Sequence, residues 1–267
     1  MAAVTDDLGA PLPAAEPKTR VVSLVPSLTE SIAATRPEAL VGATDFCTHP
    51  ADLNVARVRG TKNPDLAAIS ALEPDLVVAN KEENRRLDVE RLRAAGIAVW
   101  VTEIETVDQA LRSLRRLITE ALAWPAPQWL DAVAAQWDCP RPIGPARVAV
   151  PIWRDPWMAV GRQTFTGDLL ARLGLHNVLA DSPRRYPKVN VDEIVASRPD
   201  LVLLPDEPYP FSADDGPEAF PALPCVTLPG RALTWYGPSL LTARSVIEAA
   251  LERARDTPTN DGATGAR

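Results

Sequence analysis

Apolar residues change their spacing on either side of Pro74, and this change predicts a helix followed by a strand. Three of them lie at helical intervals: Leu66, Ile69 and Leu72. The helix should end before Pro74, because the residue preceding a proline is pushed out of the α region. Leu76 to Ala79 is then an unbroken apolar run, typical of a strand covered on both faces. The polar loop 80–84 follows at the carboxyl end of that strand, where open α/β sheets bind ligands.

The same unit of helix, proline and strand occurs twice. Residues 66–78 align without gaps with residues 191–203, at an offset of 125 residues (191 minus 66). The shared pairs are Ile69/Ile194, Ala71/Ala196, Pro74/Pro199, Asp75/Asp200, Leu76/Leu201 and Val77/Val202. A period this long indicates duplicated domains, because solenoid repeats run about 20 to 50 residues. The sequence therefore predicts two similar lobes.

Strand and helix patterns alternate in each half of the chain, which predicts an α/β fold with parallel central sheets. We expect an amino-terminal lobe over residues 20–104, connecting helices over 105–142 and a carboxyl-terminal lobe over 143–255. The Pro/Ala-rich start, 1–19, and the polar tail, 256–267, are predicted to be disordered.

Two smaller features predict local structure. After the first strand, Ser27 stands as a helix cap and Glu30 follows three residues later, the spacing of a capping box. This structural role for Glu30 is favoured over a role as a ligand contact. The Pro-rich stretch 205–224 predicts a surface loop in the second lobe.

Charge and hydropathy exclude two classes of partner. The net charge of −7 over 267 residues argues against nucleic acid, since binding to the phosphate backbone needs clustered positive charge. No run approaches the roughly 20 apolar residues of a membrane-spanning helix, so no membrane partner is expected.

The amino terminus and the cysteines predict the compartment. Residues 1–18 contain Asp6, Asp7 and Glu16 and no sustained apolar stretch, unlike a secretory signal. The three cysteines are widely spaced and form no CxxC pair, which suits a reducing compartment. We therefore expect a cytoplasmic protein.

Five stretches of the chain carry a resemblance to a known family. They are Arg20–Glu30 (RVVSLVPSLTE), Pro74–Val77 (PDLV), Ala94–Ile97 (AAGI), Val160–Val178 and Trp235–Pro238 (WYGP). In this order the sequence resembles the helical-backbone metal receptors, the substrate-binding proteins of ABC importers for cobalamin, haem and ferric siderophores. The resemblance covers residues 20–253, and the cobalamin-binding type is the most similar.

The resemblance implies a class III periplasmic-binding-protein-like fold, in which a helical backbone joins two lobes and the ligand lies in a shallow cleft between them. It also implies an exposed carboxylate on each lobe that docks on an ABC permease. The aligned positions are Ala67 in the first lobe and Asp192 in the second. Ala67, together with the expected lack of a leader or a lipidation cysteine, argues against a permease partner.

Four aromatic residues in the second lobe are candidate ligand contacts: Trp153, Trp157, Trp235 and Tyr236. Large rigid rings suit a flat macrocycle or an aromatic chelate, since each buries about 150 to 250 Å². In this interpretation Trp157 and Trp235 face the first lobe across the cleft, and loss of Trp235 weakens binding more than stability. The alternative is ordinary packing within the lobe.

Further candidates are mostly polar and belong mainly to the first lobe: Phe46, His49, Lys62, Lys81, Glu82 and Arg85, with Arg154 from the second lobe. His49 is expected to contact a bound chelate or corrinoid from the cleft edge. A metal site with Cys47 is less favoured, because two ligand types in one loop are far short of a closed site. The charged residues suit carboxylate, amide or phosphate groups of a ligand, with a solvated charged face as the alternative.

No catalytic motif such as GxSxG, a Walker loop or HExxH is present, and no catalytic residue is assigned. The sequence predicts non-catalytic binding of a cobalamin-like or metal-chelate ligand, such as haem or a siderophore, for intracellular storage, sensing or delivery. No cofactor apart from that ligand is expected. The alternatives are an importer's substrate-binding component, an enzyme or chaperone of metal or corrinoid handling, and an interaction domain with an emptied cleft.

Overall fold

The computed structural model describes residues 4–12 and 16–256. The chain forms two compact units, each built from two segments. The first unit comprises Met1–Asp138 and Trp235–Leu241, and the second comprises Cys139–Thr234 and Thr242–Arg267. The main boundary falls between Asp138 and Cys139, within the range predicted for the connecting helices, 105–142. Two assignments differ from the sequence prediction: the connecting helices belong to the first unit, and so does the segment that begins at Trp235.

The first unit is built on a five-stranded parallel sheet. In chain order its strands, including two short hairpins, are β1 (Val4–Thr5), β2 (Pro11–Leu12), β3 (Val21–Ser23), β4 (Leu40–Ala43), β5 (Ala56–Arg57), β6 (Arg59–Gly60), β7 (Asn63–Pro64), β8 (Leu76–Asn80) and β9 (Val99–Thr102). The order across the sheet is β5-β4-β3-β8-β9. Its helices are α1 (Pro26–Ala33), α2 (Leu66–Ala71), α3 (Arg86–Ala94), α4 (Val107–Arg116) and α5 (Gln128–Asp138), with a 3-10 turn at Pro37–Ala39 and a π-helical turn at Leu117–Ala121.

The second unit holds a four-stranded parallel sheet in the order β13-β10-β14-β15. Its strands are β10 (Ala146–Ala149), β11 (Pro151–Trp153), β12 (Met158–Ala159), β13 (Leu175–Asn177), β14 (Leu201–Pro205) and β15 (Cys225–Leu228). Its helices are α6 (Phe165–Arg172), α7 (Val191–Ala196), α8 (Arg231–Thr234) and α9 (Leu240–Asp256), whose first two residues belong to the first unit, with a 3-10 turn at Pro217–Ala219. The predicted parallel sheets are confirmed. Within the described ranges, no helix combines the length and the apolar character needed to cross a membrane.

The duplicated sequence folds into the same pair of elements in each unit. α2 and α7 have six residues each, and β8 and β14 have five each. Asp65 caps α2 through the amide of Ala68, whereas Asn190 and Glu193 form a capping box at the start of α7. The repeat therefore preserves local structure while the capping residues differ.

The repeated aspartate explains why the unit carries Pro-Asp before its strand. The Asp75 carboxylate accepts backbone hydrogen bonds from Thr19 and Arg20, both at 2.9 Å, and the Arg20 guanidinium donates to the carbonyl of Leu72. Asp75 therefore connects the end of α2 to the start of β3.

The second unit repeats this arrangement. The Asp200 carboxylate accepts from the Arg147 amide at 2.7 Å, and Arg147 donates to the carbonyls of Ser197 and Arg198. In each unit this aspartate–arginine pair lies at the start of an interior strand of the sheet, β3 in the first unit and β10 in the second.

The chain start was predicted to be disordered over 1–19, and this prediction is wrong for residues 4–12. β1 and β2 form an antiparallel hairpin beside β9. The buried Asp6 carboxylate accepts from Arg93 at 2.7 Å and from the amide of Val101 at 3.2 Å. Asp7 accepts from Arg116 at 2.6 Å. Charged hydrogen bonds with partners about 90 to 110 residues away hold the segment in place, which composition cannot reveal. In the predicted tail, residues 257–267 lie outside the described part.

Glu30 has a structural role, but the predicted capping box is wrong. α1 begins at Pro26 with Val25 as its cap, so Ser27 lies inside the helix. The buried Glu30 carboxylate instead accepts from the amide and the hydroxyl of Ser239, the amide at 3.2 Å. This pairing holds the segment Trp235–Leu241 in the first unit.

The Pro-rich stretch 205–224 does more than form a surface loop. Its Phe211 and Phe220 are 3% and 1% exposed and belong to the core of the second unit, with Val202 and Leu204 of β14. Their rings contact Trp157 at centroid distances of 5.7 and 5.3 Å. The stretch therefore closes one side of the second unit's core.

Candidate functional site

The loop after β8 is held rigid by two buried asparagines, Asn80 and Asn84. The Asn80 side chain accepts from the amides of Glu82 and Glu83 and donates to the Thr102 hydroxyl at the end of β9. The Asn84 side chain accepts from the Asn80 amide at 2.9 Å. It also donates to the carbonyls of two neighbouring loops, at residues 24 and 61. Because Asn side chains bond readily to local backbone, they fix the 80–84 loop against the carboxyl ends of β3 and β9.

The two lysines at this edge are engaged within the protein. The Lys62 ammonium donates to the carbonyl of Glu82, and the Lys81 ammonium pairs with the Glu103 carboxylate. Arg85 is the N-cap of α3 and is exposed to solvent. Both lysines were predicted to bind anionic groups of a ligand. In the structure each one joins neighbouring loops of this unit.

Glu83 is the residue at this edge that the sequence analysis missed. It is partly buried, and burial raises the pKa of its carboxyl; Lys62 opposes this shift and the neighbouring Glu82 adds to it. The partial burial of both carboxylates in the Lys-Glu-Glu run follows from loop geometry and not from a periodic pattern. The two asparagines that flank the loop, Asn80 and Asn84, were the only local sequence signal that this loop is held in place.

Trp235 and Tyr236 join this edge in the first unit. The Trp235 ring meets the His49 ring edge-on at 5.4 Å, and the tryptophan is 5% exposed. Tyr236 is also buried; desolvation raises the pKa of its phenol and the negative charge of Glu83 raises it further, with Ser27 and Thr102 opposing. The prediction that Trp235 faces Lys62 and Glu82 from the other lobe is wrong, because all three belong to the same unit.

Gly237 allows the backbone turn that follows Trp235 and Tyr236. Its φ of +123° is one that side chains rarely adopt, and a Cβ there would overlap the Ser31 hydroxyl of α1. The Trp-Tyr-Gly-Pro sequence therefore turns sharply against α1.

The loop after β4 carries one exposed and one buried candidate. Phe46 is 62% exposed, which leaves its ring available to a ligand. Cys47 is buried, its sulfur lies 3.0 Å from the Thr29 hydroxyl and 3.1 Å from that of Thr44, and burial raises the pKa of the thiol. The alternative of a metal site built on Cys47 and His49 is unsupported, since this thiol is enclosed by threonines and His49 packs on Trp235.

The candidates in the second unit pack against its Pro-rich stretch. Trp157 is partly buried among Phe211 and Phe220, as described above. Trp153 remains 43% exposed and meets the Tyr209 ring at 5.8 Å. Arg154 forms ion pairs with Asp215 and Glu218. Trp157 and Arg154 therefore make contacts within the unit, and Trp153 keeps an accessible face; the ligand roles of all three stay predictions.

The chain is similar in sequence and in fold to several known binding proteins. No protein-family model matches the chain. It is 25% identical over 245 residues to a vitamin B12-binding protein of Pectobacterium carotovorum, covering 85% of this chain and 86% of that protein. The chain superimposes on a periplasmic vitamin B12-binding protein of Vibrio cholerae with a TM-score of 0.72 and 21% identity, over 90% of this chain and 99% of that one. A periplasmic haem-binding protein of the same species gives a TM-score of 0.69 and 23% identity, over 87% and 98%.

This chain has the fold of a periplasmic substrate-binding protein. The predicted fold class and the predicted resemblance to cobalamin- and haem-binding receptors are confirmed. The substrate-binding proteins named here are binding proteins and not enzymes. Among the described residues, no group of three His, Cys, Asp or Glu side chains is placed to hold a metal ion.

Proposed function

We propose that this chain reversibly binds a cobalamin-like or other metal-chelate ligand, such as haem or a siderophore, without catalysing its conversion. The similarity to vitamin B12-binding proteins, which extends over most of the chain, carries the proposal. The first unit supports it, because the loops after β4 and β8 place an exposed aromatic ring, Phe46, and a fixed polar loop at the same edge of the sheet. Ligand sites combine apolar contact area with a few polar groups that set orientation.

We also propose that binding takes place inside the cell, for storage, sensing or delivery. The cysteines support this location. Cys47, Cys139 and Cys225 are free thiols, and Cys139 is exposed, which suits a reducing compartment.

A calorimetric titration with vitamin B12, haem and a ferric siderophore tests the ligand. We expect saturable one-to-one binding of at least one of them with a Kd of about micromolar or tighter. If none binds below about millimolar, the interaction domain with an emptied cleft replaces this proposal.

A matched pair of variants locates the binding surface. Phe46→Ala should weaken binding about tenfold, because a large apolar contact is lost, while the melting temperature stays nearly unchanged. Leu87→Ala serves as the control, since Leu87 is similarly exposed at 54% but lies on α3. Equal effects of the two variants on affinity would place the ligand elsewhere.

A further inference from the structure

The loop between β4 and β5, residues 44–55, is fastened by one arginine of β5. The Arg57 guanidinium donates through Nη1 to the carbonyls of Thr44 at 3.0 Å and Cys47 at 2.9 Å. Through Nη2 it donates to the carbonyl of Leu53 at 3.2 Å. Because a guanidinium presents its N–H donors in a rigid planar fork, this single side chain holds the loop backbone at three separate positions.

The fastened positions flank Phe46, the exposed aromatic residue of this loop. On one side of Phe46 the amide of Asp45 donates to the carbonyl of Arg59 at 2.9 Å. On the other side the carbonyl of Cys47 accepts from Arg57. The backbone is therefore fixed before and after Phe46, while the ring itself remains 62% exposed.

The Phe46 ring also has a fixed support beneath it. A Cβ at Gly60 of β6 would lie 3.1 Å from Cε2 of Phe46, so the edge of the ring lies against the backbone of that strand. An apolar ring held in contact with water is unfavourable until something covers it. A loop that is already ordered loses less conformational entropy when a ligand binds, and this raises the affinity.

We infer that Arg57 is a positioning residue of the ligand site: it holds the backbone around Phe46 so that the ring is in its binding position before a ligand arrives. The inference rests on the proposed function, in which a ligand contacts Phe46. It requires no contact between Arg57 and the ligand. The affinity should therefore depend on Arg57 only through Phe46.

Hydrogen exchange in the protein without ligand tests the hold on the loop. Arg57→Lys keeps the charge, but an ammonium is a compact donor on a flexible stem and cannot reproduce the fork. The amides of Asp45, Cys47 and Leu53 are hydrogen-bonded within the first unit and should exchange about tenfold faster in this variant. The variant should fold normally, because Arg57 is exposed on an edge strand.

Arg20→Lys is the matched control. The Arg20 guanidinium also donates to backbone carbonyls, those of Leu72 and Glu73, and is also exposed. It lies before β3, at the amino end of the sheet, whereas Phe46 lies beyond the carboxyl end of β4. The control should leave the exchange of the 44–53 loop and the affinity for a ligand unchanged.

A double-mutant cycle then tests whether the loop acts on binding through the ring. The probe is whichever of vitamin B12, haem and a ferric siderophore the wild type binds most tightly, titrated by calorimetry. Arg57→Lys alone should weaken binding about fivefold, because part of the ordering of the loop then has to occur on binding. In the Phe46→Ala background the same substitution should change the Kd by less than about twofold. A purely structural role of Arg57 would give the same loss in both backgrounds.

The outcomes separate this inference from the proposed function. Unchanged exchange of the loop in Arg57→Lys overturns the inference, whichever ligand binds. An unchanged affinity in Arg57→Lys, or a loss of equal size in the Phe46→Ala background, overturns it as well and leaves ligand binding intact. Failure of the wild type to bind any of the three probes refutes the proposed function, and with it the ligand role assigned here to Arg57.

Discussion

At the residue scale, burial separates aromatic side chains that look equivalent in the sequence. Trp235 and Trp153 were both predicted as ligand contacts of the second lobe. Trp235 is 5% exposed and packs on His49, whereas Trp153 is 43% exposed. Position in the sequence could not distinguish them, because solvent exposure depends on what covers each ring.

Truncation of Trp235 should therefore reduce stability. We expect Trp235→Ala to lower the free energy of unfolding by about 3 to 5 kcal/mol, the cost of removing a large buried ring and leaving a cavity. Denaturant unfolding measures this change. Trp153→Ala is the control and should cost about 1 kcal/mol or less, because its ring is partly solvated.

A nearly unchanged unfolding midpoint for Trp235→Ala, combined with an affinity loss of about tenfold or more for vitamin B12, would contradict this expectation. Trp235 would then belong to the ligand surface, as the sequence analysis first proposed.

At the element scale, the repeated aspartate couples a helix end to a strand start in both units. Asp75 and Asp200 each accept a hydrogen bond from a backbone amide at the start of the neighbouring strand: Arg20, directly before β3, and Arg147, the second residue of β10. This hydrogen bond recurs because each copy of the duplicated unit needs the same junction between helix and strand. The local Pro-Asp signal in the sequence thus has a specific structural cause.

Asp75→Asn and Asp200→Asn should each lower the free energy of unfolding by about 1 kcal/mol at neutral pH, since a charged acceptor is lost at a partly solvated site. Asp52→Asn is the control, because Asp52 is exposed in a loop. Thermal and denaturant unfolding of the three variants measures the effect. Equal stability of all three would show that the junction does not depend on the carboxylates.

Acid unfolding adds a second test of Asp75. Burial opposes ionisation, but the hydrogen bonds from Thr19 and Arg20 lower the pKa of this carboxyl below its usual 3.8. A lowered folded-state pKa contributes stability that is present above the unfolded value and is lost as pH falls through the folded value. Relative to wild type, Asp75→Asn should therefore lose less stability as pH falls below about 3.8.

At the scale of the whole molecule, the cellular compartment of the protein does not follow from its fold. The structural relatives named above are periplasmic, whereas the free thiols support our proposal of an intracellular protein. A hairpin held by Asp6 and Asp7 contributes buried hydrogen bonds to the first unit.

Fractionation of the cells that make the protein should therefore find it in the cytosolic fraction. Mass spectrometry of the isolated protein should recover residues 4–12, and thiol labelling should find Cys139 reduced. Recovery from the envelope or periplasm, with the hairpin removed, would instead support the importer role of a substrate-binding protein.

The sequence by itself determined the features that depend on neighbours within about fifteen residues. Helical spacing, the break at Pro74 and the apolar run of β8 specified the repeated unit, and its duplication specified two parallel sheets. The family resemblance extended these local signals to the fold and the ligand class. Loops rich in polar residues were placed correctly at the carboxyl ends of the strands.

Only the tertiary structure decided which distant residues meet. Glu30 bonds to Ser239, 209 positions away, and this pairing assigns Trp235–Leu241 to the first unit. Tertiary contacts likewise decided that Lys62 and Lys81 bind within the protein and that Glu83 lies partly buried. The physical reason is that ion pairs and burial depend on which surfaces come together, and neither leaves a periodic pattern in a single sequence.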